Sequence, residues 1–206
     1  MKKYLKIVVQ SLFYILTLPF GGSARLFYLI FGSSFFFNLF AQSFSLLPGL
    51  PGSYLRTCFY HQTLKESHLD VDYLFGAVVT QIMASIGHRV VVAAHANVGY
   101  VEIGDDSAIG NHVSILSGRH HHNFDDPSKP VMAGDGVFSI IQIGSNSFVG
   151  EKACVMANVG SNTIIGAGAV VVKDIPDYVV AVGNPAKVVK QRPRPKTVHP
   201  GEPERH

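Results

Sequence analysis

Three consecutive histidines, His120, His121 and His122, are the residues of this 206-residue chain with the clearest potential for chemistry. An imidazole has an unperturbed pKa of about 6.5, so near neutral pH it can take a proton from a reacting group. Asp125 and Asp126 follow closely, and either carboxylate could orient an imidazole. The cluster predicts a general base. The alternative is a polar, solvated loop in which the histidines carry no chemistry.

A six-residue repeat surrounds this cluster and must position it. A period of six fits neither the helical 3.6 nor a simple strand alternation, and it predicts a β-helix in which each hexad forms one flat face. We expect the aliphatic residue of each hexad to point into the coil and its glycine to free the backbone for a turn. The aliphatic–glycine pairs are Ile86-Gly87, Val98-Gly99, Ile103-Gly104, Ile109-Gly110, Ile143-Gly144, Val149-Gly150, Val159-Gly160 and Ile165-Gly166. Small or β-branched residues that we expect to fill the narrow part of the core follow four positions later, as in Val90, Ala96, Val113, Ala153 and Ala169.

The repeat is irregular at three places. The hexad that begins at Val98 is one residue short, residues 119–138 form a loop, and the step from Val155 to Val159 is two residues short. Repeat proteins place their insertions on one face, which is often the binding face. The loop that contains the histidine cluster is therefore the first place to expect function.

Two apolar runs, Tyr4 to Phe20 and Leu26 to Leu47, precede the repeat. Pro19-Phe20-Gly21-Gly22 is expected to break the first of them. A spanning helix needs about 20 apolar residues, so the second run qualifies by length and the first is marginal. We expect residues 1–52 to associate with a membrane, either as a short hairpin or as two helices lying in the interface. A secretory signal and a helical cap on a soluble domain are the alternatives.

Positive charges flank these runs and predict their orientation. They place both ends in the cytoplasm, at the inner face of the plasma membrane. Arg25, between the runs, weakens a full double crossing and fits a shallow arrangement. The flanking charges are Lys2, Lys3 and Lys6 before the runs, and Arg56 and Lys65 after them.

The remaining composition sets few limits. A net charge of +3 is too mild and too scattered to indicate a nucleic-acid partner. Cys58 and Cys154 have no metal-ligand spacing. We predict a linking amphipathic helix at 53–68, the β-helix at 69–190 and a disordered, Pro-rich basic tail at 191–206.

Two segments near the end of the chain carry a family resemblance. They are Ile165-Gly-Ala-Gly-Ala-Val-Val-Val-Lys-Asp-Ile-Pro and Val182-Gly-Asn-Pro-Ala-Lys-Val-Val-Lys. Together with the hexads they resemble the hexapeptide-repeat acyltransferases, and most closely the bacterial polysaccharide and sugar O-acetyltransferases. The resemblance implies an all-β fold, a left-handed parallel β-helix with an apolar, helical N-terminal region. It also implies a homotrimer that uses acetyl-CoA, without a metal, to acetylate a hydroxyl of a sugar in a surface polysaccharide or its lipid-linked precursor.

The resemblance also implies roles for individual residues. Counted forward without gaps from Val113-Ser114-Ile115, the family's catalytic base falls on His120, with His122 second and His121 third. The oxyanion donor of the family is a backbone N–H in the region of Ser139 and Ile140, and the choice between them stays open. CoA contacts carried over by motif are Ala167, Lys173 and Lys190, where the lysines would serve as point charges for phosphates.

Two positions depart from the family pattern. Glu151 stands where a relative has a serine near CoA, which puts that contact in doubt. Phe148 stands where relatives often have tryptophan, and it could wall the acceptor pocket.

Three alternative functions remain open at this level. A sugar N-acetyltransferase would use the same histidine. The second alternative is a zinc-dependent, carbonic-anhydrase-like hydratase, because similar trimers bind zinc through histidines between subunits. The candidate histidines, at variable hexad positions that face outward, are His88, His95 and His112. The third is a non-enzymatic, membrane-tethered trimeric scaffold.

Overall fold

The computed structural model describes residues 2–118, 128, 130 and 138–195, with side chains from residue 7 onward. The first part of the chain forms three helices, α1 Lys2–Phe31, α2 Phe35–Ser45 and α3 Gly49–Thr63. The apolar N-terminal region is helical, as expected, and because it forms a layer of its own the chain as a whole is not all-β. Short strands follow: β1 Asp72–Tyr73, β2 Val78–Val79, β3 Ser85–Ile86, β4 Val91–Val92, β5 Asn97–Val98, β6 Val101–Ile103, β7 Ala108–Ile109, β8 Ser114–Ile115, β9 Ile141–Ile143, β10 Phe148–Val149, β11 Cys154–Val155, β12 Ile164–Ile165, β13 Val170–Val171, β14 Val179–Val182 and β15 Lys187–Gln191.

These strands stack into three sheets that form the sides of a coil. Sheet A has the order β3-β6-β9, sheet B the order β1-β4-β7-β10-β12-β14-β15, and sheet C the order β13-β11-β8-β5-β2. Single bridges at Val159 and Ile175 extend sheet A by two further coils. All pairings are parallel except the last, between β14 and β15. Successive hexads at Ile103, Ile109 and Ile115 lie in sheets A, B and C, as the six-residue period predicts. The hand of the coil is implied by the resemblance and stays a prediction.

The inward-pointing residues are those that the repeat predicts. Each aliphatic residue of the eight pairs is at most 3% exposed, and the small residues four positions later are equally buried. Burial of one such side chain stabilises the fold by about 1.5–3 kcal/mol. Because every coil adds its residues to the same continuous core, no single hexad is stable alone.

The hexad glycines have a different role from the one expected. None of the eight has a positive φ. Instead, a Cβ at Gly104 would lie 2.6 Å from the Ser145 nitrogen, and a Cβ at Gly110 would lie 2.8 Å from the Glu151 nitrogen. The glycine is therefore required because the next coil passes directly against its Cα, and the turn itself is made elsewhere.

The left-handed backbone of each corner falls on the residue two positions after the glycine. Asp106, Asn146 and Asn162 have φ values of 59°, 53° and 55°. Asparagine and aspartate tolerate this conformation better than most residues, since their short polar side chains can bond locally. Three corners thus have Asn or Asp at the left-handed position, whereas Arg89, His112 and Lys152 adopt the same backbone at others.

Helix α1 continues through the segment that was expected to break it. Pro19 lies inside the helix. Phe20 packs against Phe40 and Phe44 of α2, with ring centroids 5.1 and 5.5 Å apart. Gly21 allows the Gln62 side chain of α3 to approach the helix closely. Tertiary packing on two neighbouring helices therefore overrides the local breaker.

Helix α3 joins the helical layer to the first coil. It begins at Gly49, with Pro48 at the N-cap position and no side-chain capping bond. Thr57 Oγ1 donates to the Val71 carbonyl at 2.9 Å, and the Val79 N–H donates to the Tyr60 hydroxyl at 3.0 Å. The three helices therefore close the open end of the coil.

Candidate functional site

One corner of the coil, between sheets C and A, absorbs all the variation in coil length. In every regular coil, the inward residue of sheet B follows that of sheet A by six residues, and the inward residue of sheet C follows six residues later, as in Ile143, Val149 and Val155. The passage from sheet C to sheet A instead takes residues 99–100, 116–140 and 156–158 in successive coils. The three irregularities of the repeat therefore lie at one edge of the molecule, which we call the C–A corner. The insertion at 119–138 occurs in the sequence at this corner.

Backbone and side-chain bonds fix the two ends of the loop. The Tyr100 N–H donates to Ser117 Oγ at 2.9 Å, and the Ile141 N–H donates to the Tyr100 carbonyl at 3.0 Å. Gly118 has a φ of +96°, and a side chain at this position would collide with Ser139 Oγ. His120, His121 and His122 lie outside the described residues, as do Asp125 and Asp126. Their roles stay predictions.

The residues that flank the loop, 117–118 and 139–140, form its stem. Their hydrogen bonds distinguish the two predicted oxyanion donors. The Ser139 N–H donates to the Ser117 carbonyl at 2.9 Å, so it is already engaged. The Ile140 N–H has no hydrogen-bond partner within the described part of the chain. Of these two backbone donors, only the one at Ser139 is therefore bonded within the described residues, and the oxyanion role of Ile140 stays a prediction.

The three predicted CoA contacts lie at different places around the coil. Ala167 is exposed in the turn between sheets B and C, and Lys173 is exposed at the C–A corner. Lys190 is exposed on β15, where it pairs with Val180 at the end of sheet B. Phe148, the proposed wall of the acceptor pocket, lies on the outer face of sheet B and is 44% exposed. Within one chain, Lys173 thus lies at a different corner from Ala167, Lys190 and Phe148, which are on or beside sheet B.

The coil histidines face outward, as predicted, and they pair with one another. His88 Nδ1 lies 3.1 Å from a carboxylate oxygen of Asp70, and the His68 ring stacks on His88 with centroids 3.5 Å apart. His95 and His112 stack in the turns between sheets B and C at 5.0 Å. Within the described residues, no group of three or more His, Cys, Asp or Glu side chains is arranged to hold a metal.

A polar groove of about 470 Å³ runs over the outer face of sheet A, which we call the sheet A groove. Its side chains include three carboxylates and one ammonium group, and Lys65 Nζ lies 3.1 Å from Glu102 Oε1. The repeat shows that these positions face outward, but only the stacking of coils shows that they share one face. The groove is lined by Lys65, Glu66, Ser85, Gly87, Glu102, Ile103, Gly104, Asp105, Gln142, Ile143, Gly144, Ser145 and Ser161.

The outer face of sheet B has the opposite character. From β4 to β14 its central outward residues are apolar, and Phe148 is the most exposed of them, whereas β15 at the edge of the sheet adds exposed lysines. An apolar stripe on an otherwise polar coil is typical of surfaces that take part in protein–protein contacts. Its residues are Val91, Ala108, Phe148, Ile164 and Val180.

The helical layer also presents apolar side chains to its surroundings. Within the described residues, Ile7–Phe31 is the one helical stretch long and apolar enough to cross a membrane, and 17% of its most apolar window is buried. Arg56, one of the flanking charges that predicted orientation, is only 1% exposed and therefore does not contribute a surface charge. Exposed apolar residues of this layer include Ile7, Val8, Leu12, Ile15, Leu16, Leu26, Leu29, Ile30, Phe31, Phe35, Leu46 and Leu50.

Comparisons with known proteins give acetyltransferases in sequence and acyltransferases in structure. No family model matches the chain. The chain is 36% identical over 99 residues to serine acetyltransferase 3 of Arabidopsis thaliana, which covers 47% of this chain and 23% of that protein. It is 36% identical over 94 residues to a probable acetyltransferase of Mycobacterium tuberculosis, which covers 45% of this chain and 31% of that protein. The chain thus spans less than a third of the length of these curated relatives.

Solved structures that share the fold include two acyltransferases. A maltose O-acetyltransferase from Clostridium difficile is 24% identical, with a TM-score of 0.66 over 76% of this chain and 87% of its own. AntD, an N-acyltransferase from Bacillus cereus solved with dTDP and coenzyme A, is 18% identical, with a TM-score of 0.53 over 61% and 72% of the two chains. At these identities both comparisons establish the fold alone.

Proposed function

Because the chain has the fold of the hexapeptide-repeat acyltransferases and resembles acetyltransferases in sequence, we propose that it transfers the acetyl group of acetyl-CoA to a hydroxyl of a sugar. The acceptor is a surface polysaccharide or its lipid-linked precursor. The observation that carries this proposal is the position of the one long insertion, at the C–A corner, because that insertion contains the three histidines.

The proposed chemistry needs one base and one oxyanion donor. His120 takes the proton of the acceptor hydroxyl as its oxygen attacks the thioester carbonyl, and a new C–O bond forms. The carbonyl oxygen becomes an oxyanion, which the N–H of Ile140 stabilises. The C–S bond then breaks, and the CoA thiolate takes the proton held by His120. A base whose pKa lies near the operating pH contributes about 10²–10⁴-fold to the rate.

The proposed CoA contacts imply a second chain. Ala167 and Lys190 lie away from the C–A corner, so within one chain they cannot line a single cleft with the loop. A trimer in which the apolar stripe of sheet B packs against a neighbour would bring contacts from two chains together. The exposed ammonium groups of Lys173 and Lys190 then suit the phosphates of CoA as point charges.

Membrane association is proposed from the exposed apolar surface of the helical layer. Helix α1 is tied to the rest of the molecule, since Gln62 Nε2 donates to the Tyr14 carbonyl and to Thr17 Oγ1, both at 2.9 Å. Gln10 Nε2 also donates to the Leu69 carbonyl at 2.6 Å. These bonds favour a helix that lies in one leaflet over one that crosses the bilayer. Because acetyl-CoA is cytosolic, the coil lies on the cytoplasmic side, and protease added to intact cells should leave it uncut.

The test is thioester consumption by the purified protein. We expect CoA release from acetyl-CoA to require a membrane glycolipid extract and to fall at least 100-fold in His120→Asn. His112→Asn is the matched control, because His112 is an exposed coil histidine. Its backbone is left-handed, and asparagine tolerates this conformation. Equal release by wild type and His120→Asn would exclude His120 as the base and move the test to His122→Asn. Absence of release in wild type would contradict the function.

The nature of the product separates O- from N-acetylation. Esters are cleaved by mild alkali, whereas amides are not. With radiolabelled acetyl-CoA, we expect the label in the extract to be released by mild alkali. Label that resists alkali would make the chain an N-acetyltransferase, which would use the same base and the same oxyanion donor.

A further inference from the structure

We propose that the acceptor's sugar ring binds, as a ring without phosphate, in the sheet A groove. This inference rests on the proposed transferase function, since it concerns the acceptor of that reaction. A volume of about 470 Å³ falls within the range of small-molecule sites, about 300–1,000 Å³. Neither the family resemblance nor the predicted site residues point to this face of the coil.

One end of the groove is near the point where the loop that contains the proposed base returns to the coil. The loop leaves the coil after β8 and returns just before β9, and Gln142 in the middle of β9 lines the groove. Ser139, at the end of the loop stem, precedes Gln142 by three residues, which is about 10 Å of extended chain. The other lining residues extend from Gln142 towards the turn into sheet B, so a ring seated at the Gln142 end of the groove is the one that lies near Ile140.

The outward side chains of the groove are suited to hydroxyl groups. Glu102 pairs with Ser85 on one side and with Gln142 on the other, so a carboxylate, a hydroxyl and an amide follow one another across the sheet. Carboxylate oxygens accept only, whereas the hydroxyl and the amide can both donate and accept. A sugar ring, whose hydroxyls also do both, matches this set.

Ser85 supplies a separate observation that indicates a ligand. It is 8% exposed and lies between Glu66 and Glu102 in the ladder. Its hydroxyl has no hydrogen-bond partner among the described residues. A buried polar group without a partner costs about 1–3 kcal/mol. The Ser85 hydroxyl oxygen is covered by its neighbours, so a ligand reaches it only when a side chain that lines the groove moves aside. A ligand hydroxyl that reached it would remove that cost.

The net negative charge of the groove disfavours the binding of anionic groups. Glu66, Glu102 and Asp105 supply three carboxylates against the single ammonium of Lys65. Phosphates of CoA or of a nucleotide sugar would lie against like charges, which weakens binding. The groove therefore suits the ring that receives the acetyl group, and any phosphate of a lipid-linked acceptor must lie outside it.

The test separates acceptor binding from donor binding in the CoA-release assay with the glycolipid extract. In Glu102→Gln, which keeps the shape and removes the charge, we expect the extract concentration for half-maximal rate to rise at least tenfold. The KM for acetyl-CoA should stay within twofold of wild type. Asp72→Asn is the matched control, because Asp72 is an exposed carboxylate on the outer face of sheet B, and it should change neither value.

The possible outcomes are distinguishable. If wild type releases CoA and Glu102→Gln shows an unchanged dependence on extract, the groove is not the acceptor site while the transferase function stands. If wild type releases no CoA, the transferase function fails, and the inference fails with it. UDP-glucose added as a competitor should not compete with the extract, and competition would overturn the assignment of a ring without phosphate.

Discussion

At the scale of single residues, the glycine of each hexad sets the spacing between coils, and this leads to a prediction on stability. In Gly104→Ala the new methyl group would lie 2.6 Å from the Ser145 nitrogen. Because the coils must separate to admit it, we expect the free energy of unfolding to fall by about 1–3 kcal/mol. Chemical denaturation of the detergent-solubilised protein measures this change.

The control for this prediction is a glycine with space around it. A Cβ at Gly22, within α1, would have no atom within 4 Å. Gly22→Ala should therefore leave stability unchanged or raise it by up to about 1 kcal/mol, through helix propensity. Similar losses at Gly104 and Gly22 would contradict a role in coil spacing.

Residue identities could be predicted from the sequence where the repeat constrains them. The aliphatic positions of the core are fixed by the period, since each hexad must bury one side chain in the same place. The role of the glycines could not be predicted, because it depends on the contact between one coil and the next. The loop histidines belong to an insertion that no repeat constrains. The sequence therefore predicts where along the coil the insertion occurs, but it does not predict the positions of the histidine side chains. The groove was missed because its residues are far apart in the chain.

At the scale of elements, Arg56 joins α2, α3 and the first coil. Its Nη1 donates to the Phe44 and Leu47 carbonyls at 2.8 Å, and its Nε donates to the Tyr73 carbonyl at 3.0 Å. The side chain forms no salt bridge with a carboxylate in the described part of the chain. The partial negative charge at the C-terminus of α2 partly compensates the buried cation. Burial lowers the pKa of this guanidinium from its ordinary value.

We predict that Arg56→Met loosens the helical layer from the coil. Methionine keeps much of the apolar stem but leaves three carbonyls without their donor, and each hydrogen bond to a charged group contributes about 1.5–3 kcal/mol. Hydrogen exchange should accelerate at least tenfold in residues 35–63, while exchange in residues 141–182 stays unchanged. Arg25→Met, at an exposed position of α1, is the control. Uniform acceleration along the chain would show that the helices and the coil unfold as one unit.

The elements also show where local signals are insufficient. A Pro-Phe-Gly-Gly segment breaks many helices, yet α1 continues through it because its aromatic and glycine faces pack on α2 and α3. The helix at 53–68 was expected from its own residues, whereas α3 begins earlier, at Gly49. Both differences arise from contacts between helices, which a window along the sequence does not contain.

At the scale of the whole molecule, the apolar surface of the helical layer predicts how the protein meets a membrane. Leu12 and Leu29 are 67% and 76% exposed. Burying two such side chains in lipid contributes about 3 kcal/mol or more, which is over a hundredfold in partitioning. We expect the wild type to float with phosphatidylcholine–phosphatidylglycerol vesicles and the double variant Leu12→Glu/Leu29→Glu to remain in solution. Met83→Glu/Val189→Glu, at exposed apolar positions of the coil, should float like wild type.

The faces of the coil differ in a way that predicts its assembly. The outer face of sheet A is polar and contains the groove, whereas that of sheet B is an apolar stripe centred on Phe148. In Phe148→Asp a buried, unpaired carboxylate would oppose association through sheet B. We expect the mass measured by light scattering to fall from three chains of 22.3 kDa to one.

Activity should fall with the loss of the trimer, since the proposed CoA contacts come from different edges of the coil. Gln142→Asp, an exposed change on sheet A, should leave the trimer intact. If Gln142→Asp dissociates the trimer and Phe148→Asp does not, sheet A is the subunit interface. The groove would then be covered by a neighbouring chain, and the acceptor would have to bind elsewhere along the C–A corner.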